Sequence, residues 1–155
     1  MTGKFSSVYE YGGSADYEQK ENEYLRLLED SRLFVFADHG SSTGWGAEDL
    51  LSKEIKPSFV VSYSCENCGY DKVGKKGELL CMRMLRNGAL VYVGAVDVIP
   101  INGNYLIFIK RFFGEGWSLG ASMLYSRTLY ETPGDSCNTV ILLGDPTLTA
   151  EDIGL

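Results

Sequence analysis

Cys65 and Cys68 follow an apolar run in the stretch VVSYSCENCGY, and three chemistries compete for them. Their C-x-x-C spacing is that of a thioredoxin-type redox pair or of half a zinc site. Just downstream, Gly69 to Lys75 has the G-x-x-x-x-G-K spacing of a phosphate loop. The third chemistry is that of Cys65 alone, a thiol nucleophile at a strand end. It draws interest because His39, the only histidine, sits in the same way after another apolar run, in LFVFADHGSS.

The first two readings find little support elsewhere in the chain. A redox pair opens a helix in a thioredoxin-type domain, whose topology the remaining sequence does not follow. Zinc needs two more ligands, and Cys81, Cys137 and His39 contain no second tight pair. The phosphate-loop match ends in Lys76 where Ser or Thr must hold magnesium. GEGWSLG fails G-x-G-x-x-G by one residue and reads as a turn into a helix whose Trp117 and Leu119 pack inward. Cys81 and Cys137 are expected to be small buried residues. Cys68 is either a small turn residue or a thiol that oxidises with Cys65 and silences it. Glu66 and Asn67 suit hydrogen bonding near a substrate or a plain polar turn equally well.

The nucleophile reading needs a base within reach of the sulfur, so that a thiolate attacks a carbonyl carbon and the protonated base returns the proton to the leaving amine. Gly40 adds to it, because a residue without Cβ lets its amide approach a substrate oxygen closely. The Gly40 and Cys65 amides together would make an oxyanion hole. Asp38 is not the residue to orient His39, since neighbours on an extended strand point to opposite faces. For a lone histidine and a lone cysteine the commonplace role is packing and loop hydrogen bonding. What favours chemistry is the set of elements that carry them.

Four short apolar runs, at 33–37, 59–63, 89–96 and 139–143, fit strands buried on both faces. Between them the sequence predicts helices over 76–86, closed by Asn87 and Gly88, and over about 104–113 and 118–130. Residues 16–30 also read as a helix, after a short edge strand at 5–10. Strands alternating with helices give a three-layer α/β/α sandwich with a mostly parallel sheet. Function in such sheets gathers at the carboxyl ends of the strands. If the first two strands are neighbours, about 4.8 Å apart, His39 and Cys65 project toward one cleft.

In this order the motifs resemble the caspase-like cysteine peptidases, most closely the gingipain-like branch. The resemblance lies in FADHGSSTGW, VVSYSCENCGYD, the helix followed by GALVYVGAV, and LLGDPTL, and covers about residues 5–149. It implies a caspase-like fold, with His39 as catalytic base, Cys65 as nucleophile and the Gly40 and Cys65 amides in the oxyanion hole, working without a cofactor. It also implies a specificity pocket lined by AVDVIPINGN, where Asp97 is the only charge and would favour Arg or Lys at the cleaved position. The expected activity is that of an endopeptidase on peptides or proteins. The alternative is a catalytically silent module of the same fold that binds or scaffolds a partner protein.

Length and composition agree with one folded domain over residues 1–155, of 155 residues with 23% charged side chains and no repeat or low-complexity tract. The family domain carries a further strand and helix before the region where this chain starts, so a domain lacking that first pair is expected. A net charge of -7 disfavours nucleic acid and suits basic peptides better. No apolar run is long enough to span a bilayer, and residues 1–13 lack the basic start and apolar core of a signal peptide. The resemblance is compatible with a secreted or cell-surface setting, and the sequence does not fix location or oligomeric state.

Overall fold

Three of the four apolar runs become parallel strands lying side by side. The computed structural model describes residues 26, 29, 31–37, 54–56, 58–63, 65–69, 79–97, 104–129 and 139–155. Strands β1 (Leu33–Ala37), β2 (Phe59–Tyr63), β3 (Val91–Ala95) and β4 (Val140–Gly144) form a four-stranded sheet in the order β1-β2-β3-β4. The first three are parallel and β4 runs antiparallel to β3.

Burial follows position in the sheet. All five residues of β3 are buried, and Phe59 to Ser62 of β2 are at most 3% exposed, as continuous apolar runs require. The fourth run departs from expectation. Val140 to Leu143 are only half-buried, because among the described residues β4 has a strand neighbour on one side only. β1 shows the same effect at Val35, 39% exposed.

Parallel neighbours need a crossover, and between β2 and β3 it contains α1 (Leu80–Arg86). The expected start at Lys76 is too early, because Leu79 is extended (φ -75°, ψ 146°) and buried at 4% exposure, so core packing sets the boundary. The expected close at Asn87 and Gly88 is present as a Schellman motif. Ala89 donates to the Met84 carbonyl at 3.0 Å and Gly88 to the Leu85 carbonyl at 3.2 Å. Gly88 has φ +123°, and a Cβ there would stand 2.4 Å from the Ile55 carbonyl oxygen. Only glycine meets both demands.

After β3 the chain crosses to the opposite face. There α2 (Asn104–Ile109) runs into a π-helical turn (Lys110–Gly114), and α3 (Leu119–Thr128) follows. The wide turn, for which the sequence carries no signal, buries Phe112 completely against Phe59 and Phe108, with ring centroids 5.4 Å and 6.0 Å away. Leu119 is buried as expected, whereas Trp117 is half-buried and packs beside Tyr125 with the Arg111 guanidinium over both rings.

Two clusters therefore sandwich the sheet. On one face Leu80, Cys81 and Met84 of α1 pack on Phe34, Val60 and Tyr92. On the other, Phe108, Phe112, Leu119 and Met123 pack on Phe59, Val61, Val91 and Val93. Burying each such side chain contributes about 1.5–3 kcal/mol before the entropy of ordering it is counted. Arg26 and Glu29 are helical, in keeping with the helix expected over 16–30, while the strand expected at 5–10 and Cys137 lie outside the described residues.

Candidate active site

The register of the first two strands ends with Ala37 opposite Tyr63. His39 follows two residues after Ala37 and Cys65 two residues after Tyr63. The condition set by the sequence, that these strands be neighbours, is met. His39 and Gly40 themselves lie outside the described residues, as do Asp38, Ser41 and Ser42. Cys65 is described and half-buried.

Cys65 opens a tight turn that β3 holds from the side. Glu66 adopts φ 60°, the left-handed conformation uncommon for a residue with Cβ, and it is the only such residue among those described. The Glu66 amide donates to the Asp97 carbonyl at 3.2 Å, the Cys68 amide to the Ala95 carbonyl at 2.8 Å, and the Gly69 amide to the Glu66 carbonyl at 3.0 Å. The turn after β2 is thus fastened to the residues that end β3.

Those same bonds bring the Asp97 backbone next to the residue that follows Cys65. Asp97 is exposed in the loop that follows β3. Residues 98–103 of the same loop lie outside the described residues.

Beneath the turn is a polar network that sequence reasoning missed. Asn67 is 1% exposed, so its side chain is directed into the protein and not toward a substrate. Its Nδ2 donates to Ser62 Oγ at 2.7 Å and to Tyr92 Oη at 3.5 Å. Burial pushes the Tyr92 hydroxyl well above its ordinary range and so keeps it neutral. The available signal was the pair of hydroxyl residues, Ser62 and Tyr92, inside otherwise apolar strands, since buried hydroxyls require partners.

Cys68 and Cys65 separate at this point. Cys68 is fully buried, and its thiol shares a hydrogen bond with Cys81 on α1. That hydrogen bond and burial push the Cys68 thiol far up, so it is held protonated. The structure therefore supports the small-turn-residue reading of Cys68 and gives it a core partner other than Cys65. Cys81 is buried as expected. Among the described residues no three His, Cys, Asp or Glu side chains cluster as a metal site would.

LGDPTL, the last of the motifs, has a mechanical role. After β4 the chain folds across the start of α3, where Leu119 donates to the Leu148 carbonyl at 2.9 Å and Gly120 to the Pro146 carbonyl at 2.8 Å. These bonds satisfy amides that a helix start leaves free. Ser118 caps the same end, accepting from Ala121 at 3.4 Å.

A sheet of this order with a thiol at the carboxyl end of β2 is common to several α/β folds, and comparison with known families decides between them. The profile of peptidase family C25 matches residues 4–151. The chain belongs to that family. C25 is the gingipain family of the caspase-like cysteine peptidases, so the protein is a cysteine peptidase, a hydrolase whose substrates are peptides or proteins. The mixed α/β sandwich with its mostly parallel sheet is the caspase-like fold. No curated protein matches this C25 peptidase chain. No helix among its described residues is long and apolar enough to cross a membrane.

Proposed function

We propose that this C25 peptidase cleaves internal peptide bonds with a dyad of His39 and Cys65. The observation that carries the reading is the β1–β2 register, which ends the two strands side by side before those residues. His39 takes the thiol proton, and Cys65 Sγ attacks the scissile carbonyl carbon. The tetrahedral oxyanion is received by the Gly40 and Cys65 amides. Collapse breaks the C–N bond, the His39 imidazolium gives its proton to the departing amine, and a thioester remains. Water, deprotonated by His39, then hydrolyses the thioester and restores the thiol.

Asp97 is assigned to the specificity pocket, where its carboxylate would meet Arg or Lys at the cleaved position in a charge-assisted contact. Its support is the bond between the Asp97 carbonyl and the Glu66 amide, which keeps it beside the nucleophile's turn.

The test is the rate of iodoacetamide alkylation of Cys65 against pH, in wild type and His39→Ala. Fast alkylation near neutral pH that drops at least tenfold in His39→Ala is the expected result, since the thiolate is the reactive form. A panel of peptides with Arg, Lys or Asp at the cleaved position should show cleavage after Arg or Lys, reduced about 100-fold in Asp97→Ala. Slow alkylation indifferent to His39 would overturn the dyad and favour a silent binding module. Cleavage after Asp would overturn the role of Asp97.

A further inference from the structure

The buried polar cluster under the Cys65 turn has no role in the chemistry just described, yet its geometry is specific. Three things meet there. Glu66 holds a left-handed backbone between Cys65 and Asn67, a conformation that persists in a non-glycine residue only where its surroundings enforce it. The Asn67 side chain, 1% exposed, reaches down from the turn to hydroxyls on two different strands, Ser62 of β2 at 2.7 Å and Tyr92 of β3 at 3.5 Å. Tyr92 can lie where it does because the residue two further along β3 is Gly94. A Cβ on Gly94 would stand 2.4 Å from Tyr92 Cε1.

The register explains why these groups converge. Val60 pairs with Tyr92 in the parallel β2–β3 ladder, so Ser62 and Gly94 each lie two residues farther on the same face. That face ends beneath the Cys65 turn. Backbone bonds from Glu66 to Asp97 and from Cys68 to Ala95 tie the rim of the turn to β3, while the Asn67 amide ties its floor to both strands.

We infer that Asn67 is a positioning residue for the nucleophile, its side-chain amide locked by the Ser62 and Tyr92 hydroxyls so that the turn presents Cys65 in one orientation, with Gly94 setting the position of the Tyr92 ring. The inference rests on Cys65 being the nucleophile. A misplacement of about 1 Å at a reacting atom costs on the order of 100-fold in rate, which is the scale of effect a lost floor contact should have.

The experiment compares wild type with Asn67→Ala, Ser62→Ala, Tyr92→Phe and Gly94→Ala in the full chain. Three readings are taken: peptide kcat and KM, the iodoacetamide rate of Cys65, and hydrogen exchange at the Glu66 and Cys68 amides. Asn67→Ala is expected to lower kcat by about 10- to 100-fold with KM changed less than about threefold. Ser62→Ala should cost more than Tyr92→Phe, following the shorter bond. Gly94→Ala, which displaces the Tyr92 ring, should lower kcat with every hydrogen-bonding group still present. In Asn67→Ala the two amides should exchange faster and Cys65 alkylation should change, at an unchanged pH profile for residues outside the turn.

A folded Asn67→Ala protein with wild-type kcat, alkylation rate and amide exchange would overturn the inference. So would a loss of melting temperature with wild-type kcat in the folded fraction, because that is the signature of a purely structural contact. If Asn67→Ala does not fold, the same readings on Tyr92→Phe and on the Ser62→Ala/Tyr92→Phe pair decide the matter, since these remove the amide's acceptors and leave the turn sequence intact. The dyad reading fails separately: a wild type with no cleavage and no His39-dependent alkylation overturns the dyad, and amide exchange in Asn67→Ala still decides whether Asn67 fixes the turn.

Discussion

Cys65 and Cys68 share one C-x-x-C motif but face different surroundings. Cys65 opens the turn half-exposed, whereas Cys68 is buried and hydrogen-bonded to Cys81. Alkylation needs both access and thiolate, and Cys68 has neither. Brief treatment of the native protein with iodoacetamide should therefore label Cys65 and leave Cys68 and Cys81 unmodified until the protein is denatured, as read by peptide mass spectrometry. Labelling of Cys68 at a rate comparable with Cys65 would contradict the buried placement. A disulfide between Cys65 and Cys68 is likewise not expected on mild oxidation, because Cys68 is buried in the core cluster with Cys81 while Cys65 is half-exposed.

At the scale of elements, the site depends on how α1 is closed and returned to β3. The Schellman motif at Asn87–Gly88 turns the chain so that Ala89 leads directly into the central strand that fastens the Cys65 turn. A side chain at position 88 meets two penalties at once, the φ of +123° and the Ile55 carbonyl oxygen 2.4 Å from the new Cβ. Gly88→Ala should destabilise the protein by more than about 1 kcal/mol, which lowers the melting midpoint by about 2–4 °C for each kcal/mol in a chain of this size. Gly114→Ala is the comparison, because a Cβ there meets nothing within 4 Å and its backbone is right-handed. Its midpoint should stay near or above wild type. Equal losses at both positions would show that the close approach to Ile55 does not matter.

For the molecule as a whole, the segment after β4 closes the structure, and its turns depend on ionised carboxylates. Asp145 accepts from the Thr147 hydroxyl at 2.7 Å and amide at 2.8 Å, and Asp152 accepts from the Thr149 amide and hydroxyl at 2.8 Å each. These bonds hold both carboxyls below their ordinary value of 3.8. A depressed folded value means that the unfolded chain takes up the proton first, so the contribution is complete above the ordinary value and is lost as pH falls through the folded one. The melting midpoint of wild type should exceed that of Asp145→Asn/Asp152→Asn at neutral pH, and the gap should narrow as the pH falls below 3.8. A gap independent of pH would remove the carboxylates from the account. The sequence by itself determined the strand runs, the Schellman close at Gly88 and the motifs that match a peptidase family, because apolar periodicity and turn chemistry are local properties, whereas the adjacency of β1 and β2 was only a condition that the sheet then met. It did not determine that β4 is half-buried and antiparallel, that Phe112 enters the core through a π-helical turn, or that Cys68 bonds to Cys81. Nor did it reveal that Asn67 reaches Ser62 and Tyr92 over Gly94. Those contacts join residues far apart in the chain, and only the packing of strand against strand and helix against sheet decides which of many compatible side chains meet.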